Sequence, residues 1–517
     1  MQTLPEFRNE PFVDFRQPAN AEGMRAALQQ VAQQLGKQYP LRIGGKDVQA
    51  KAEVISTSPA SPALVIGRHA EADAAVVPQA IAAGEAAFAT WSVRPVEERV
   101  ELLLQAAKRM RERKFEFCAW LTFEAGKNWA EADADTAEAI DFLEFYAREA
   151  VRLSQSAPRI QYPGERNEFV YVPLGVGAVI PPWNFPLAIM AGMTAAAIVT
   201  GNTVLLKPSP LAPTIAARFL MLLEECGMPA GVVTLLQGGA ALGSAIVEHP
   251  AIHFISFTGS KKVGLDIQSK AAQVAPGQRW IKRTILELGG KDAIIVEDDA
   301  DLDAAADGVV ASACGFSGQK CSACSRVIVN EKVHDTFVQK LAQRMAALAI
   351  GDPAENRAVG PVISEDSYNR ILGYIFDAAQ KGKVLAGGAA QTPAAEGYYI
   401  QPTLIAGLTP ADRICQEEVF GPVLAVLKAR DFDDALAIAN DTEYGLTGAV
   451  YSRDEKKLKR AAAEFHVGNL YFNRKCTGAM VGAHPFGGFK MSGTDSKAGG
   501  ADYLLLFTQA KSINYKL

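Results

Sequence analysis

Two side chains, a cysteine and an upstream glutamate, stand out as able to do covalent chemistry together. Cys321 lies in GQKCS (318–322), a polar, glycine-bearing run that predicts a loop. A thiolate is a strong nucleophile, and the charge of Lys320 is expected to favour it. Glu287 ends an expected strand before Gly289-Gly290, where a bare backbone allows close approach by a substrate or cofactor. Such a thiol and base could form and then hydrolyse a thioester, whereas alone they could be an inert buried thiol and a solvated carboxylate.

Two further polar residues follow expected strands. Asn184 lies in PPWNFP (181–186), directly after Val176–Ile180, and the three prolines hold this turn rigid. A fixed amide of this kind is a candidate oxyanion donor. Lys207 follows Thr203–Leu206 and could reach a ribose or a phosphate. The simpler alternatives are an asparagine that bonds its own turn and a surface lysine.

A nucleotide site is indicated by the run FTGSKKVG (257–264), although the G-x-G-x-x-G fingerprint is absent. This run follows the expected strand His253–Phe257 and opens a helix. Backbone N–H groups at the start of a helix can hold a pyrophosphate.

The elements that must position these residues alternate between strand and helix from residue 169 onward. Continuous apolar strands separated by helices predict a doubly wound parallel sheet, with ligands beyond its C-terminal strand ends. A second α/β rhythm begins near Glu287 and predicts a second such domain. The expected elements, in chain order, are Val176–Ile180, Leu187–Thr200, Thr203–Leu206, Thr214–Cys226, Val232–Leu236, Ala241–Val247, His253–Phe257, Lys261–Ala272, Ala293–Val296, Leu302–Cys314, Arg326–Val329 and Val333–Leu348.

Two strand-like segments, Phe169–Val172 and Lys511–Tyr515, have no neighbouring strand along the sequence. Unpaired strand edges invite pairing between chains. We therefore expect a small sheet built from both that supports a homo-oligomer, a dimer or larger. A helix is expected near Ala21–Gly36, in an N-terminal arm.

Composition narrows the class of protein. A net charge of −5 argues against a general nucleic-acid binder. The longest apolar run, Leu187–Val199, is shorter than the roughly 20 residues that span a bilayer, so no membrane association is expected. Seven cysteines and no export signal predict reduced thiols in the cytoplasm. Cys321 and Cys324 form a C-x-x-C that could be a redox pair or half a zinc site, but without a second such motif no metal is expected.

Six motifs together resemble the aldehyde dehydrogenase superfamily over nearly the whole chain. In order, they are PPWNFP (181–186), KPSP (207–210), FTGSKKVG (257–264), ELGGK (287–291), GQKCS (318–322) and EEVFGPV (417–423). The resemblance implies an α/β fold with two doubly wound parallel-sheet domains and a small β oligomerisation element.

The resemblance also implies a mechanism. Cys321 attacks the aldehyde, Asn184 and the Cys321 N–H hold the oxyanion, hydride passes to NAD, and Glu287 activates water to release the acid. Lys207 and Glu418 are expected to hold the two riboses of the cofactor. The full set of implied cofactor residues is Ile180, Pro182, Trp183, Lys207, Ser209, Thr258, Gly259, Ser260, Gly264, Leu288, Glu418 and Phe420.

Ser209 departs from the pattern of strict NAD enzymes of this superfamily, which often carry glutamate there. A carboxylate at that position binds the adenosine ribose and repels a 2′-phosphate, whereas serine does not repel it. NAD is therefore expected as the main cofactor, with NADP tolerated.

Residues 124–148 and 473–494 more narrowly resemble the glutamate-γ-semialdehyde dehydrogenases, which complete proline degradation to glutamate. The implied site holds the substrate α-carboxylate on Ser322 and on the N–H groups of Gly478 and Ala479, which form an anion-binding nest. Glu138 is expected to face the α-ammonium, with Asp133, Asp135 and Asp141 as alternatives. The implied substrate residues are Glu138, Phe185, Ser322, Gly478, Ala479 and Phe486.

The expected domain layout assigns 1–50 to the arm, 51–156 and 175–286 to the NAD-binding domain, 287–475 to the catalytic domain, and 157–174 and 495–517 to the oligomerisation strands. A separate proline dehydrogenase is a possible partner, because some relatives are fused to one. Two alternatives stay open: a dehydrogenase for another short carboxylated semialdehyde, such as succinate semialdehyde, and a catalytically silent structural or binding relative.

Overall fold

A computed structural model describes residues 4–155, 160–388 and 397–517 of the chain. Within these ranges helices α1 to α15 span Pro18–Ala32, Val77–Trp91, Val96–Glu112, Lys114–Ala125, Trp129–Ser154, Ala188–Val199, Pro213–Glu225, Ala240–Glu248, Lys261–Ala271, Leu302–Cys314, His334–Ala346, Glu365–Ala379, Arg413–Gln416, Phe432–Asn440 and Glu455–Glu464. Strands β1 to β21 span Lys37–Tyr39, Leu41–Ile43, Lys46–Val48, Ala52–Ser58, Ser61–Glu71, Glu165–Pro173, Val176–Ile180, Thr203–Leu206, Val233–Leu235, Phe254–Thr258, Arg283–Glu287, Asp292–Val296, Cys324–Asn330, Lys383–Ala386, Thr403–Ala406, Val423–Ala429, Tyr444–Gly445, Thr447–Tyr451, Asn469–Phe472, Phe489–Lys490 and Thr508–Lys516.

The first large sheet has the strand order β11-β10-β7-β8-β9-β2-β3. Strands β7 to β11 pair in parallel, and every residue of β7 and β8 is buried. Burial on both faces is the reason that these strands read as continuous apolar runs. The crossover helices α6, α7, α8 and α9 lie between consecutive strands, as the alternating pattern predicts.

The second large sheet has the order β14-β15-β16-β13-β12-β18-β19 and carries one antiparallel edge strand, β14. Its interior strand β12 begins five residues after β11 ends, so only Leu288–Lys291 joins the two sheets. Each sheet has its own apolar core, and the two domains expected from the sequence correspond to these two parallel sheets.

Strands β6 and β21 form a separate two-stranded antiparallel sheet, in which Glu165 pairs with Lys516 and Pro173 with Thr508. The two segments that lacked neighbours in the sequence therefore pair with each other. Residues 157–159 of the expected oligomerisation segment 157–174 lie outside the described residues. The pairing of this sheet between chains stays a prediction.

The N-terminal region packs on a helix of the main body and contributes strands to two sheets. Helix α1 packs against α4, and β2 joins the first large sheet beside β9. Strand β1 instead joins a three-stranded sheet with β5 and β4. The expected boundary at residue 50 therefore does not coincide with the edge of a sheet.

No helix in the described parts of the chain is long and apolar enough to cross a membrane.

Candidate active site

The candidate site lies where the C-terminal edge of the first sheet faces the loops that enter the second sheet. Register places Thr258 beside Glu287, and Phe257 beside Ile180. Lys207 follows β8 at the same edge and donates its backbone N–H to Val179. From the other side, Cys321 precedes β13 and Glu418 precedes β16. Parallel strand ends thus gather residues that are far apart in sequence.

The loop before Cys321 is fixed by an unusual backbone and by one buried glutamine. Phe316, Ser317 and Gly318 all have positive φ, at 48°, 53° and 68°. The side chain of Gln319 donates to the carbonyls of Phe316 (3.3 Å) and Pro361 (3.2 Å) and accepts from Ile363 N (2.8 Å). Non-glycine residues in this region are strained, so the surrounding bonds must hold the loop.

Asn184 reaches this same loop. Its buried side-chain Nδ2 donates to the carbonyl of Gln319 at 3.0 Å, two residues before Cys321. An amide nitrogen has two hydrogens, so one remains available to the oxygen of an aldehyde whose carbonyl carbon the Cys321 sulfur attacks. The structure therefore brings the predicted donor and the predicted nucleophile together.

The surroundings of Cys321 disfavour its thiolate in the free protein. Burial, followed by the negative charges of Asp292, Glu418 and Glu287, raises its pKa well above the usual value. The expected effect of Lys320 does not outweigh these contributions. The Lys320 ammonium lies 2.6 Å from Glu131, which neutralises its charge.

Glu287 occupies the last position of β11, and its backbone carbonyl accepts from Gly259 N at 3.0 Å. Ser496 donates its hydroxyl to Oε1, while Oε2 is buried without a partner among the described residues. Burial raises the pKa of the carboxyl to about 8, and the bond from Ser496 acts in the opposite direction. A base with a pKa near neutrality suits proton abstraction from water.

The pair Gly289-Gly290 was expected to allow close approach by a substrate or cofactor. In the structure, other parts of the protein approach these glycines closely. A Cβ on Gly289 would lie 2.4 Å from the Glu418 carboxylate, and one on Gly290 would lie 2.5 Å from the Cys321 carbonyl. The Gly290 N–H also donates to Glu418 Oε1 at 3.0 Å. These glycines thus let the Glu418 and Cys321 loops pack against the end of β11.

The expected cofactor residues form two contacting groups. The rings of Trp183 and Phe420 meet edge to face with centroids 5.5 Å apart. Gly264 packs on Leu288 so closely that a Cβ would lie 2.3 Å from its Cδ2. Ser260 caps α9 by accepting from Val263 N.

Other expected cofactor residues line the strand ends. Lys207 is buried, which lowers the pKa of its ammonium to about 8. The hydroxyl of Ser209 accepts from Leu211 N at 3.3 Å, and Pro182 is half-buried in the turn after Ile180. The N-terminal end of α9 concentrates backbone N–H groups, which fit the pyrophosphate of a dinucleotide.

Glu138 lies on α5 and is half-buried, and burial followed by the charge of Asp135 raises its pKa to about 8. Each of the three alternative acids is already held by other groups. Asp133 lies 2.9 Å from Lys114, Asp135 lies 3.0 Å from Lys127, and Asp141 accepts from Asn9 at 2.8 Å. This distribution favours Glu138 as the acid available to a substrate.

The remaining substrate candidates lie on three segments. Phe185 covers the Lys127 ammonium at 3.9 Å from its ring centroid. Gly478 has φ +77°, a conformation that suits a backbone nest, and Ala479 follows it. Ser322 is buried beside Cys321, and Phe486 pairs with Ala498 through two backbone bonds.

Four site residues were missed by the sequence reasoning: Gln319, Ser496, Glu131 and Lys127. Gln319 lies inside the quoted GQKCS motif, so its position beside the nucleophile was an available signal. Ser496 gives no such signal, because its contact depends on a distant segment folding back over β11.

No group of three or more histidine, cysteine, aspartate or glutamate residues that could hold a metal occurs within residues 4–155, 160–388 and 397–517. All seven cysteines are free, and the buried thiol of Cys324 donates to the Arg326 carbonyl at 3.4 Å.

Comparison with known proteins gives consistent matches. The aldehyde dehydrogenase family model matches residues 47–513. A 1-pyrroline-5-carboxylate dehydrogenase of Geobacillus thermodenitrificans is 54% identical over 510 residues, covering 98% of this chain and 99% of that protein. The structure of a 1-pyrroline-5-carboxylate dehydrogenase from Thermus with bound NAD has a TM-score of 0.98 and 48% identity, with both chains fully covered. The structure of proline utilization A from Bdellovibrio bacteriovorus has a TM-score of 0.97 and 42% identity. This match covers all of this chain and 54% of that one.

Proposed function

The chain belongs to the aldehyde dehydrogenase family, and we propose that it oxidises L-glutamate γ-semialdehyde to L-glutamate with NAD. This aldehyde is in equilibrium with 1-pyrroline-5-carboxylate, and the reaction is the second step of proline degradation. One observation carries the proposal: the Cys321 loop, the Asn184 amide and the Glu287 carboxylate converge between two sheets. These groups supply a nucleophile, an oxyanion donor and a base.

The first half-reaction forms a bond between the Cys321 sulfur and the aldehyde carbon. The environment of Cys321 raises the pKa of its thiol, so the thiol proton passes to solvent water as the sulfur attacks. The second hydrogen of Asn184 Nδ2 and the Cys321 N–H stabilise the oxyanion. NAD, when bound, accepts the hydride that leaves the former aldehyde carbon, and a thioester on Cys321 remains.

The second half-reaction hydrolyses this thioester. Glu287 removes a proton from water, the hydroxyl adds to the thioester carbon, and the Cys321 thiolate leaves with the bond pair. The same Asn184 amide stabilises the second oxyanion, because the oxygen occupies the same position. The raised pKa of Glu287, about 8, makes its carboxylate basic enough for this step.

Substrate selection is assigned to two groups of residues. Glu138 is proposed to pair with the α-ammonium, and Ser322 with the N–H groups of Gly478 and Ala479 to hold the α-carboxylate. The positive φ of Gly478 and the engagement of Asp133, Asp135 and Asp141 elsewhere support these assignments.

We also propose that the protein is cytoplasmic and forms homo-oligomers through the β6–β21 sheet, whose outer edges are open within the described residues. The match to about half of proline utilization A supports a proline dehydrogenase as a partner.

The direct test is NADH formation with 1-pyrroline-5-carboxylate, set against succinate semialdehyde. Turnover of the first and little of the second supports the proposal. Turnover of succinate semialdehyde alone selects the other carboxylated aldehyde, and no turnover with any aldehyde selects a silent relative. Cys321→Ala is expected to abolish NADH formation while retaining NAD binding.

A further inference from the structure

The segment that closes over Glu287 is held in a conformation that few sequences adopt. Phe486 and Ala498 bond to each other through both backbone groups, at 2.8 Å and 2.7 Å, and so close a loop over residues 487–497. Within this loop Asp495 and Lys497 have φ of 51° and 53°, on either side of Ser496. Left-handed conformations at two non-glycine residues are costly and persist only when surrounding bonds impose them.

Those bonds are present on both sides of Ser496. Lys497 donates its ammonium to the carbonyls of Gly468 (2.8 Å) and Gly487 (2.9 Å). Thr494 donates its N–H to the Leu286 carbonyl and accepts from Leu286 N at 3.0 Å, which fixes the loop to β11. The loop is thereby aligned with the last residue of the strand, Glu287.

As a result, Ser496 contacts the Glu287 carboxyl through both its hydroxyl and its backbone N–H. The buried Ser496 hydroxyl donates to Glu287 Oε1, and Gly487 leaves room for this oxygen, since a Cβ there would lie 3.1 Å from it. Oε2 has no hydrogen-bond partner in the described part of the chain. Because Oε1 already accepts a hydrogen bond and Oε2, among the described residues, does not, Oε2 is the more available proton acceptor.

We propose that Ser496 is a positioning residue for the reaction: it holds Glu287 Oε1 and so presents Oε2 to the water that hydrolyses the Cys321 thioester. This inference rests on the proposed role of Glu287. It assigns a function to a serine that belongs to none of the six family motifs.

Ser496 also lowers the pKa of Glu287. A hydrogen bond to a carboxylate favours its charged form, so Ser496 lowers a pKa that burial raises to about 8. Loss of the hydroxyl must therefore raise it further. Glu287 interacts electrostatically with five titratable groups. They are Asp495, Lys497, Cys321 on its loop, Tyr146 on α5 and Tyr503.

The test follows the acyl adduct on the Cys321 peptide by quenched-flow mass spectrometry during a single turnover, across a pH series. In the native enzyme, decay of the adduct should accelerate as pH rises toward about 8, because the carboxylate is the active form. Ser496→Ala should form the adduct normally but shift the midpoint upward by roughly one pH unit, which slows decay about tenfold on the acid side. Ser496→Thr, which keeps the hydroxyl, should restore the midpoint.

Ser492→Ala is the matched control, because it removes a buried serine hydroxyl of the same loop that accepts from Gly445 N instead of donating to the carboxylate. Its midpoint should equal that of the native enzyme. An unchanged midpoint and decay rate in Ser496→Ala would overturn the inference, as would an equal shift in Ser492→Ala. Absence of any adduct on Cys321 in the native enzyme would instead overturn the proposed covalent mechanism.

Discussion

The side-chain amide of Asn184 donates to the main-chain carbonyl of Gln319 at 3.0 Å, and this bond ties the turn after β7 to the nucleophile loop. One end of the bond belongs to the first sheet and the other to the approach to the second. The bond orients the amide and leaves its second hydrogen for chemistry.

Asn184→Ala is therefore expected to slow hydride transfer by about 10²–10³-fold, the usual effect of losing one oxyanion donor. Single-turnover NADH formation measures this step. NAD affinity should stay close to that of the native enzyme, since the proposed partner of the amide is the aldehyde and not the cofactor. A native rate of hydride transfer in Asn184→Ala would remove this residue from the oxyanion site.

The fully buried pair Lys127–Asp135 links the site to α5. The two groups lie 3.0 Å apart, and Asp135 also accepts from Ala188 N at 2.7 Å. Lys127→Met leaves an uncompensated carboxylate, which should cost about 3–5 kcal/mol of unfolding free energy in urea titrations. Lys127→Met combined with Asp135→Asn should regain part of that loss, and equal stability of the single and double variants would contradict the coupling.

Cofactor choice is predicted to depend on Ser209. Ser209→Glu introduces a charge that repels a 2′-phosphate, so the NADP/NAD ratio of kcat/KM should fall by about ten- to a hundredfold, or roughly 1–3 kcal/mol. Ser209→Gln has the same size without the charge and should change the ratio much less. If the two variants gave the same ratio as the native enzyme, NADP tolerance would have another origin.

Glu138 is predicted to select substrates that carry an α-ammonium. Glu138→Gln removes a charge-assisted hydrogen bond worth about 1.5–3 kcal/mol, so kcat/KM for glutamate semialdehyde should fall about ten- to a hundredfold. Activity with succinate semialdehyde, which has no ammonium, should hardly change. Asp141→Asn serves as the comparison, because Asp141 already accepts from Asn9. A parallel loss on both substrates would assign Glu138 a structural role.

Sequence reasoning succeeded where burial and chain direction decide the outcome. The bounds of Val176–Ile180 and Thr203–Leu206 agree with β7 and β8, because strands covered on both faces are continuously apolar. Leu302–Cys314 agrees with α10, which Asp301 caps. Strands β1 to β5 were not predicted from the sequence. In β4, for example, most residues are exposed and do not alternate regularly with buried ones, so the segment carries no clear apolar run.

The motifs indicated the candidate site residues, but they did not reveal the charged and polar groups that surround those residues. The charge of Lys320 looked available to Cys321, yet Glu131 on α5 neutralises it through an approach that no local pattern reveals. Ser496 reaches Glu287 only because Phe486 and Ala498 close a loop and two residues adopt positive φ. Long-range pairing of this kind is decided by the complete fold.

The most direct test of the central claim is mass spectrometry of Glu287→Ala mixed with 1-pyrroline-5-carboxylate and NAD and then quenched with acid. Because the variant lacks the hydrolytic base, one equivalent of NADH should form, and the peptide containing Cys321 should carry a glutamyl thioester. Cys321→Ala should give neither product. An unmodified Cys321 peptide accompanied by continued NADH formation would contradict the account.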